Sequence, residues 1–371
     1  MRRREFLVQS GRAALSFPLL PPLARAQGNQ IPAKSKGGDP WEILIADLEK
    51  QIPKLMEEAI VPGLSIALIK DAKLRWRRGF GAKDSASKKP VDNDIMFEAA
   101  SMGKPVFAYA VMKLCERGVL DLDTPLTKYT PERYLEGDPR LDLITARYVL
   151  SHTSGFQNWR SEEEPLKIHF TPGEKFLYSG EGYSYLQSVV ARLTGQTIDS
   201  YMRANLFVPF GMASSGYVWN DMFDKRMARP HDQKGRPFEN NKPTAAHLTR
   251  YGAAGELRTT PTDYAQFLIE IIDARASDAF RLAKNSLKEM LRPQVKVSDE
   301  YSTSYALGWQ IQHSETRDFI VHGGDNKGFH AFAAASVDAK RGYVMMTNGE
   351  NGGEVLKKVM IGFVNPFLSG M

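Results

Sequence analysis

The apolar residues along the chain keep two different periods. In "PWEILIADLEKQIPKLMEEAI" (40–60) they recur every three or four positions, which predicts a helix, with Pro40 at the first position where a missing N–H costs nothing. "LSIALIK" (64–70) and "KLRWRRGFG" (73–81), joined at Asp71-Ala72, predict an antiparallel strand pair. Residues 105–250 read as mostly helical with Pro- and Gly-rich loops. A further helix begins within "TTPTDYAQFLIEIIDA" (259–274), where Thr260 can cap and Pro261 sits in the first turn. The tail returns to strands in "YALGWQIQH" (305–313), "RDFIVHGG" (317–324), "HAFAAASVD" (330–338) and "GYVMMTN" (342–348), before a closing helix near "GEVLKKVMIGFVNPFL" (353–368).

Strands from both ends around a helical middle predict an α+β fold. One antiparallel sheet is built from the N- and C-terminal strands and flanked by helices, and a mostly helical lobe stands beside it. The expected organisation is a single domain over 41–371, with an α/β lobe at about 41–100 and 251–371 and a helical lobe at about 105–250. Residues 27–40 are polar, with Gly and Pro, and read as a flexible lead-in.

With 371 residues, 42% of them apolar and 25% charged, the chain can bury a sizeable core. The net charge of +6 does not point to nucleic acid. Residues 1–26 carry five arginines and one glutamate and account for +4, which leaves +2 for the remaining chain and no basic stripe. The single cysteine, Cys115, excludes an internal disulfide and reads as a buried, inert thiol. At the start, "RRREFL" is followed by "AALSFPLLPPLA" and by the small-x-small cleavage pattern "ARA" at 24–26. This resembles a bacterial twin-arginine export signal, on Arg3, Arg4, Phe6 and Leu7, with Gln27 as the mature start. The resemblance implies the twin-arginine translocation machinery as a partner and a periplasmic or secreted protein. After residue 26 no run approaches the roughly 18 to 20 apolar residues of a membrane span.

The candidate chemistry lies in "EAASMGKPVFAYAVMKL" (98–114). Ser101 and Lys104 are three residues apart at the front of a helix, so the amine can reach the hydroxyl and take its proton. The pair alone is a weak signal, since a capping serine and a solvent-facing lysine give the same pattern. Its apolar surroundings strengthen it, because a desolvated lysine has a lowered pKa and can serve as a base. The histidines at 169, 231, 247, 313 and 330 have no metal-binding spacing, and no metal or organic cofactor is expected.

Ser101-x-x-Lys104, "VLSHTSGF" (149–156), "TPGEKFLYSGEGYSYL" (171–186), "AAGELRTTPTDYAQF" (253–267), "YALGW" (305–309) and "HGGDNKGF" (322–329) stand in the order found in the serine β-lactamase-like superfamily. The chain resembles that family of class C β-lactamases, low-molecular-weight penicillin-binding proteins, D-aminopeptidases and related esterases over 41–365. The resemblance implies Ser101 as nucleophile, Lys104 as its activator and Tyr178 as a proton relay. It implies backbone N–H groups of Ser101 and Asp325 as an oxyanion hole, with Gly323 and Gly324 letting an acyl group approach the strand. His152 would hold a turn beneath the site, and Tyr183 and Tyr185 would be core residues.

Two positions depart from the family pattern. Position 180 is Gly where the second motif has asparagine. Losing one such contact weakens binding by about 1–3 kcal/mol, which favours an esterase or peptidase over an efficient β-lactamase, although Asn326 could supply an amide. His322 replaces a lysine, so it is expected to be cationic only below about neutral pH and to bind anionic substrates less well as pH rises. The acidic run Glu162-Glu163-Glu164 reads as a solvated loop near the entrance, and "RMARPHDQKGRPF" (226–238) as a hairpin over the helical lobe. The resulting expectation is an exported serine hydrolase acting on an ester, a β-lactam or a D-amino-acid peptide. The alternatives are a penicillin-binding type protein, either a D-Ala-D-Ala carboxypeptidase or a slowly deacylating sensor, and a true β-lactamase.

Overall fold

A computed structural model describes residues 39–315 and 317–369. The export signal at 1–26 and nearly all of the lead-in lie outside the described residues. Helix α1 (Pro40–Ala59) starts where the sequence predicts, with Asp39 Oδ1 accepting from the Trp41 N–H at 3.1 Å and Pro40 in the first turn. Strands β1 (Gly63–Lys70) and β2 (Lys73–Asp84) follow, and their turn places both Asp71 and Ala72 at φ 54°. That left-handed pair matches the twist of a two-residue hairpin.

The remaining strands are β3 (Lys89–Pro90), β4 (Phe97–Ala100), β5 (Leu257–Thr259), β6 (Val295–Ser298), β7 (Thr303–Tyr305), β8 (Gln310–Gln312), β9 (Phe319–Asn326), β10 (Phe329–Ser336) and β11 (Arg341–Thr347). Nine of them form one antiparallel sheet in the order β3-β2-β1-β11-β10-β9-β8-β7-β6, so strands from the two ends of the chain meet where β1 pairs with β11. Strands β4 and β5 pair separately and lie against this sheet.

The two faces follow from strand alternation. Leu64, Ile66 and Leu68 of β1 and Tyr343 and Met345 of β11 pack with Leu48, Ile52 and Met56 of α1 and with Leu356 and Val359 of α7 (Gly352–Val359). The intervening Ala67, Ile69, Val344 and Met346 belong to the opposite core, with α2 (Gly103–Glu116) and α5 (Pro261–Ile272). Helix α5 is capped as expected, by the Thr260 hydroxyl accepting from the Asp263 N–H at 3.0 Å. Helices α3 (Gly180–Thr194), α4 (Ala245–Gly255) and α6 (Lys284–Leu291) complete the longer helices described.

Three expectations are corrected. The 105–250 region is less helical than its composition suggests, because 117–145 and 151–179 run mainly as turns and short 3-10 segments through Gly118, Gly137, Pro165 and Gly173. "YALGWQIQH" is two strands, not one. Gly308, at φ +87°, turns the chain between β7 and β8, and a Cβ there would lie 2.5 Å from that of Ala108 on α2. The 226–238 hairpin packs on the end of the sheet rather than over the helical lobe: the Arg229 N–H donates to Lys83 O, and His231 bridges the Ser85 N–H and Asn348 O.

Candidate active site

Strand β4 leads into Ser101 through Ala100, a non-glycine residue at φ 47°, where such a conformation carries strain. The chain turns there, with the Met102 N–H donating to Ala99 O and the Lys104 N–H to Ser101 O, both at 3.0 Å. Helix α2 then begins at Gly103, so Ser101 stands two residues ahead of the helix instead of opening it. The i, i+3 reach survives, and Lys104 Nζ lies 3.0 Å from Ser101 Oγ.

Lys104 is 1% exposed. Its amine donates to Ala254 O near the end of α4 at 2.6 Å and sits over the rings of Tyr178 and Tyr183, 4.8 and 5.6 Å from their centroids. Among the described residues no carboxylate pairs with it. Burial alone brings its pKa down from 10.5 to about 7. Tyr178 is hydrogen-bonded to Ser101, and burial, opposed by that bond, raises its phenol above the usual range. The three side chains named from the sequence therefore converge on one point.

His152 supports this point from below. It is fully buried at φ 57°, its Nδ1 accepts from the Ser179 N–H at 3.0 Å, and its ring lies 4.1 Å from that of Tyr178. Burial, then the Lys104 charge, push its pKa far below normal, so it holds the turn carrying Tyr178 as a neutral ring.

Strand β9 forms the facing wall. A Cβ at Gly324 would sit 2.1 Å from Ala99 O and 3.1 Å from the Ser101 backbone N, so glycine is required for β9 to lie against the serine turn. Asp325 is the next residue. Its carboxylate is turned to His330 on β10, with Nδ1 to Oδ1 at 2.5 Å, while His330 Nε2 meets Glu350 O. Burial opposes charge on His330, but the Asp325 bond and charge outweigh it and raise the pKa.

The structure corrects the reading of His322. It is 6% exposed on this inner strand, with Nδ1 donating to Gly323 O at 2.7 Å and Nε2 accepting from the Tyr305 hydroxyl at 2.9 Å. Burial, then the Lys104 charge, drive its pKa to about 3, so it is neutral at ordinary pH and cannot be the titrating cation expected for an anionic substrate. Asn326 also differs from expectation. Its Nδ2 donates to Glu98 Oε2 at 2.7 Å and to Gly255 O at 3.4 Å, which commits the amide N–H donors to the protein.

The sequence did not single out several neighbours. Glu98, Arg258 and Glu256 form a buried ion cluster, with Arg258 Nη2 3.3 Å from Glu98 and 3.4 Å from Glu256. Arg258 and Glu98 sat inside quoted segments, but nothing in their spacing announced the contact. Ala254 contributes only a backbone carbonyl, and Trp159 occupies the space beside Gly180.

The beta-lactamase family model matches residues 48–359, and the chain belongs to that family, with the mixed α/β fold of a β-lactamase/transpeptidase-like serine hydrolase. Among curated relatives it is 24% identical over 322 residues to penicillin-binding protein 4* of Bacillus subtilis, covering 77% of this chain and 68% of that one. It is 22% identical over 329 residues to protein flp of Staphylococcus aureus, covering 82% and 64%. The chain thus spans about two thirds of the length of these relatives. Two solved structures share the fold: the octameric penicillin-binding protein homologue from Pyrococcus abyssi (TM-score 0.73, 23% identity, 86% and 77% coverage) and D-alanine carboxypeptidase AmpC from Burkholderia cenocepacia (TM-score 0.71, 19% identity, 86% and 99%).

Proposed function

We propose that the protein hydrolyses an ester or amide through an acyl-enzyme on Ser101. The observation that carries this reading is the buried Lys104 amine, 3.0 Å from Ser101 Oγ, with a pKa near 7 and no counter-ion among the described residues. As a neutral amine it accepts the hydroxyl proton while Oγ attacks the carbonyl carbon. The backbone N–H groups of Ser101 and Asp325 hold the developing oxyanion, with Gly324 letting β9 lie against the serine turn. Tyr178 passes the proton from Lys104 to the leaving group as its bond to carbon breaks. Water then attacks the ester, giving up a proton through the same pair, and Ser101 is released with a carboxylic acid.

His322 and Asn326 act in this reading by shaping the β9 wall, not by binding substrate charge. An ester is the preferred substrate class because residue 180 supplies no side-chain amide, and a β-lactam or D-alanyl peptide gains less from this site. Export follows from Arg3, Arg4 and the "ARA" segment. The described residues contain no helix long and apolar enough to cross a membrane. N-terminal sequencing of protein recovered outside the cytoplasm is expected to begin at Gln27.

The test is mass spectrometry of the mature protein mixed separately with p-nitrophenyl butyrate, a fluorescent penicillin and a D-Ala-D-Ala peptide, beside Ser101→Ala. Ester turnover without a lasting penicillin adduct is expected. A persistent adduct on Ser101 would make the protein a slowly deacylating penicillin-binding type. Turnover that survives Ser101→Ala would overturn the assignment.

A further inference from the structure

The aromatic surface beside Tyr178 bears on which ester is taken. A Cβ built on Gly180 would lie 2.3 Å from the Trp159 ring, so the indole occupies the volume a side chain at 180 would need. The Gly180 N–H is already spent on Asn158 Oδ1 at 2.8 Å. Across from Gly180, Trp159 meets Tyr251 of α4 edge to face, with centroids 5.2 Å apart, and His247 packs on Tyr251 at 4.7 Å. Tyr251 is one helical turn before Ala254, the residue that anchors Lys104. Both rings remain partly exposed.

These rings are also fixed in place. Glu181, fully buried, receives Arg160 at 2.7 Å and Arg250 at 3.3 Å, and Arg250 stacks on Tyr251 at 4.9 Å. The residues adjoining Trp159 and Tyr251 are therefore tied to one carboxylate directly after Gly180. An apolar platform held this way binds a flat group at little ordering cost.

We infer that Trp159 and Tyr251 form a ledge that receives the acyl group of the substrate and selects flat, aromatic acyl chains over short or amide-bearing ones. This rests on the acyl-enzyme reading above. Strand β9 and the oxyanion donors occupy one wall and the Tyr178 hydroxyl serves the leaving group, so the acyl chain lies along the remaining wall between residue 180 and α4. No hydrogen-bonding group is free at residue 180 to satisfy an amide there.

The experiment compares kcat/KM for p-nitrophenyl phenylacetate and p-nitrophenyl acetate, which share a leaving group, in the wild type, Trp159→Phe, Trp159→Leu and Trp159→Ala. Labelling of Ser101 by a fluorophosphonate runs in parallel. The phenylacetate-to-acetate ratio is expected to fall about tenfold in Trp159→Ala and Trp159→Leu, mainly through KM, and to be largely kept in Trp159→Phe, the size of effect one ring contact supports. A ratio unchanged in any folded, labelled Ala or Leu variant overturns the ledge. If Trp159→Ala does not fold, Trp159→Leu decides. Absence of Ser101 labelling in the wild type would instead overturn the acyl-enzyme reading, and the ledge with it.

Discussion

Lys104 and Arg258 are both buried cations served by the same short stretch of chain. Lys104 donates to Ala254 O, and Arg258 donates to Glu256 O. Arg258 also has two carboxylates, Glu98 and Glu256, while Lys104 has none among the described residues. A guanidinium held by two carboxylates knits β4 to β5. An amine buried without a carboxylate sheds its proton, because the interior penalises the charged form. The same burial yields a strut in one place and a base in the other.

Exchanging these roles gives the largest effects. Lys104→Arg keeps a cation beside Ser101 but one that cannot deprotonate near neutral pH, so kcat/KM on esters is expected to fall roughly 10^3-fold. Burst kinetics would show the loss in acylation, and an active Lys104→Arg enzyme would remove Lys104 as the base. Arg258→Met strips the charge from the other pair and leaves Glu98 and Glu256 buried together. Chemical denaturation is expected to report a loss of about 3–5 kcal/mol. A loss below about 1 kcal/mol would mean that the cluster contributes little to holding β4 against β5.

The contrast also separates what could be read in the sequence from what could not. That Ser101 and Lys104 meet was legible in their i, i+3 spacing, that Tyr178 joins them in the resemblance to the family's second motif, and α1, α5 and the terminal strands in their regular periods. His322 was misread, since a histidine's charge depends on what covers it, and the Tyr305 hydroxyl that covers its Nε2 comes from 17 residues away. Asn326 was misread for the same reason: its partner, Glu98, lies 228 residues away. Trp159 was invisible because nothing in "FQNWR" signals that its ring fills the room above Gly180.

A smaller effect sharpens the account of Lys104. With the base active only when neutral, kcat/KM is expected to drop tenfold per pH unit below about 7 and to level off above it. Stability carries the same signature. Between about 7 and 10.5 the unfolded chain binds the proton that the folded protein has lost, so unfolding free energy contributed by this group rises with pH across that window and is flat below it. Denaturant midpoints measured at pH 7 and 9 should lose this contribution in Lys104→Met. A slope equal to that of the wild type would mean that Lys104 keeps its charge when folded.

The smallest expected effect concerns His322. Near neutral pH two groups could produce an acid limb in the activity profile, Lys104 with a pKa of about 7 and a histidine of ordinary pKa. In this fold His322 is held at about 3 by burial and by repulsion from Lys104, which outweigh the Gly323 carbonyl bond that favours the protonated ring. His322→Gln should therefore leave the midpoint of the acid limb where it is, whatever happens to the plateau, and the limb should fall at the same pH for an anionic and a neutral ester. A midpoint that moves by half a pH unit or more in His322→Gln, or that differs between the two esters, would return the titrating charge to His322 and end the distinction between a wall residue and a base.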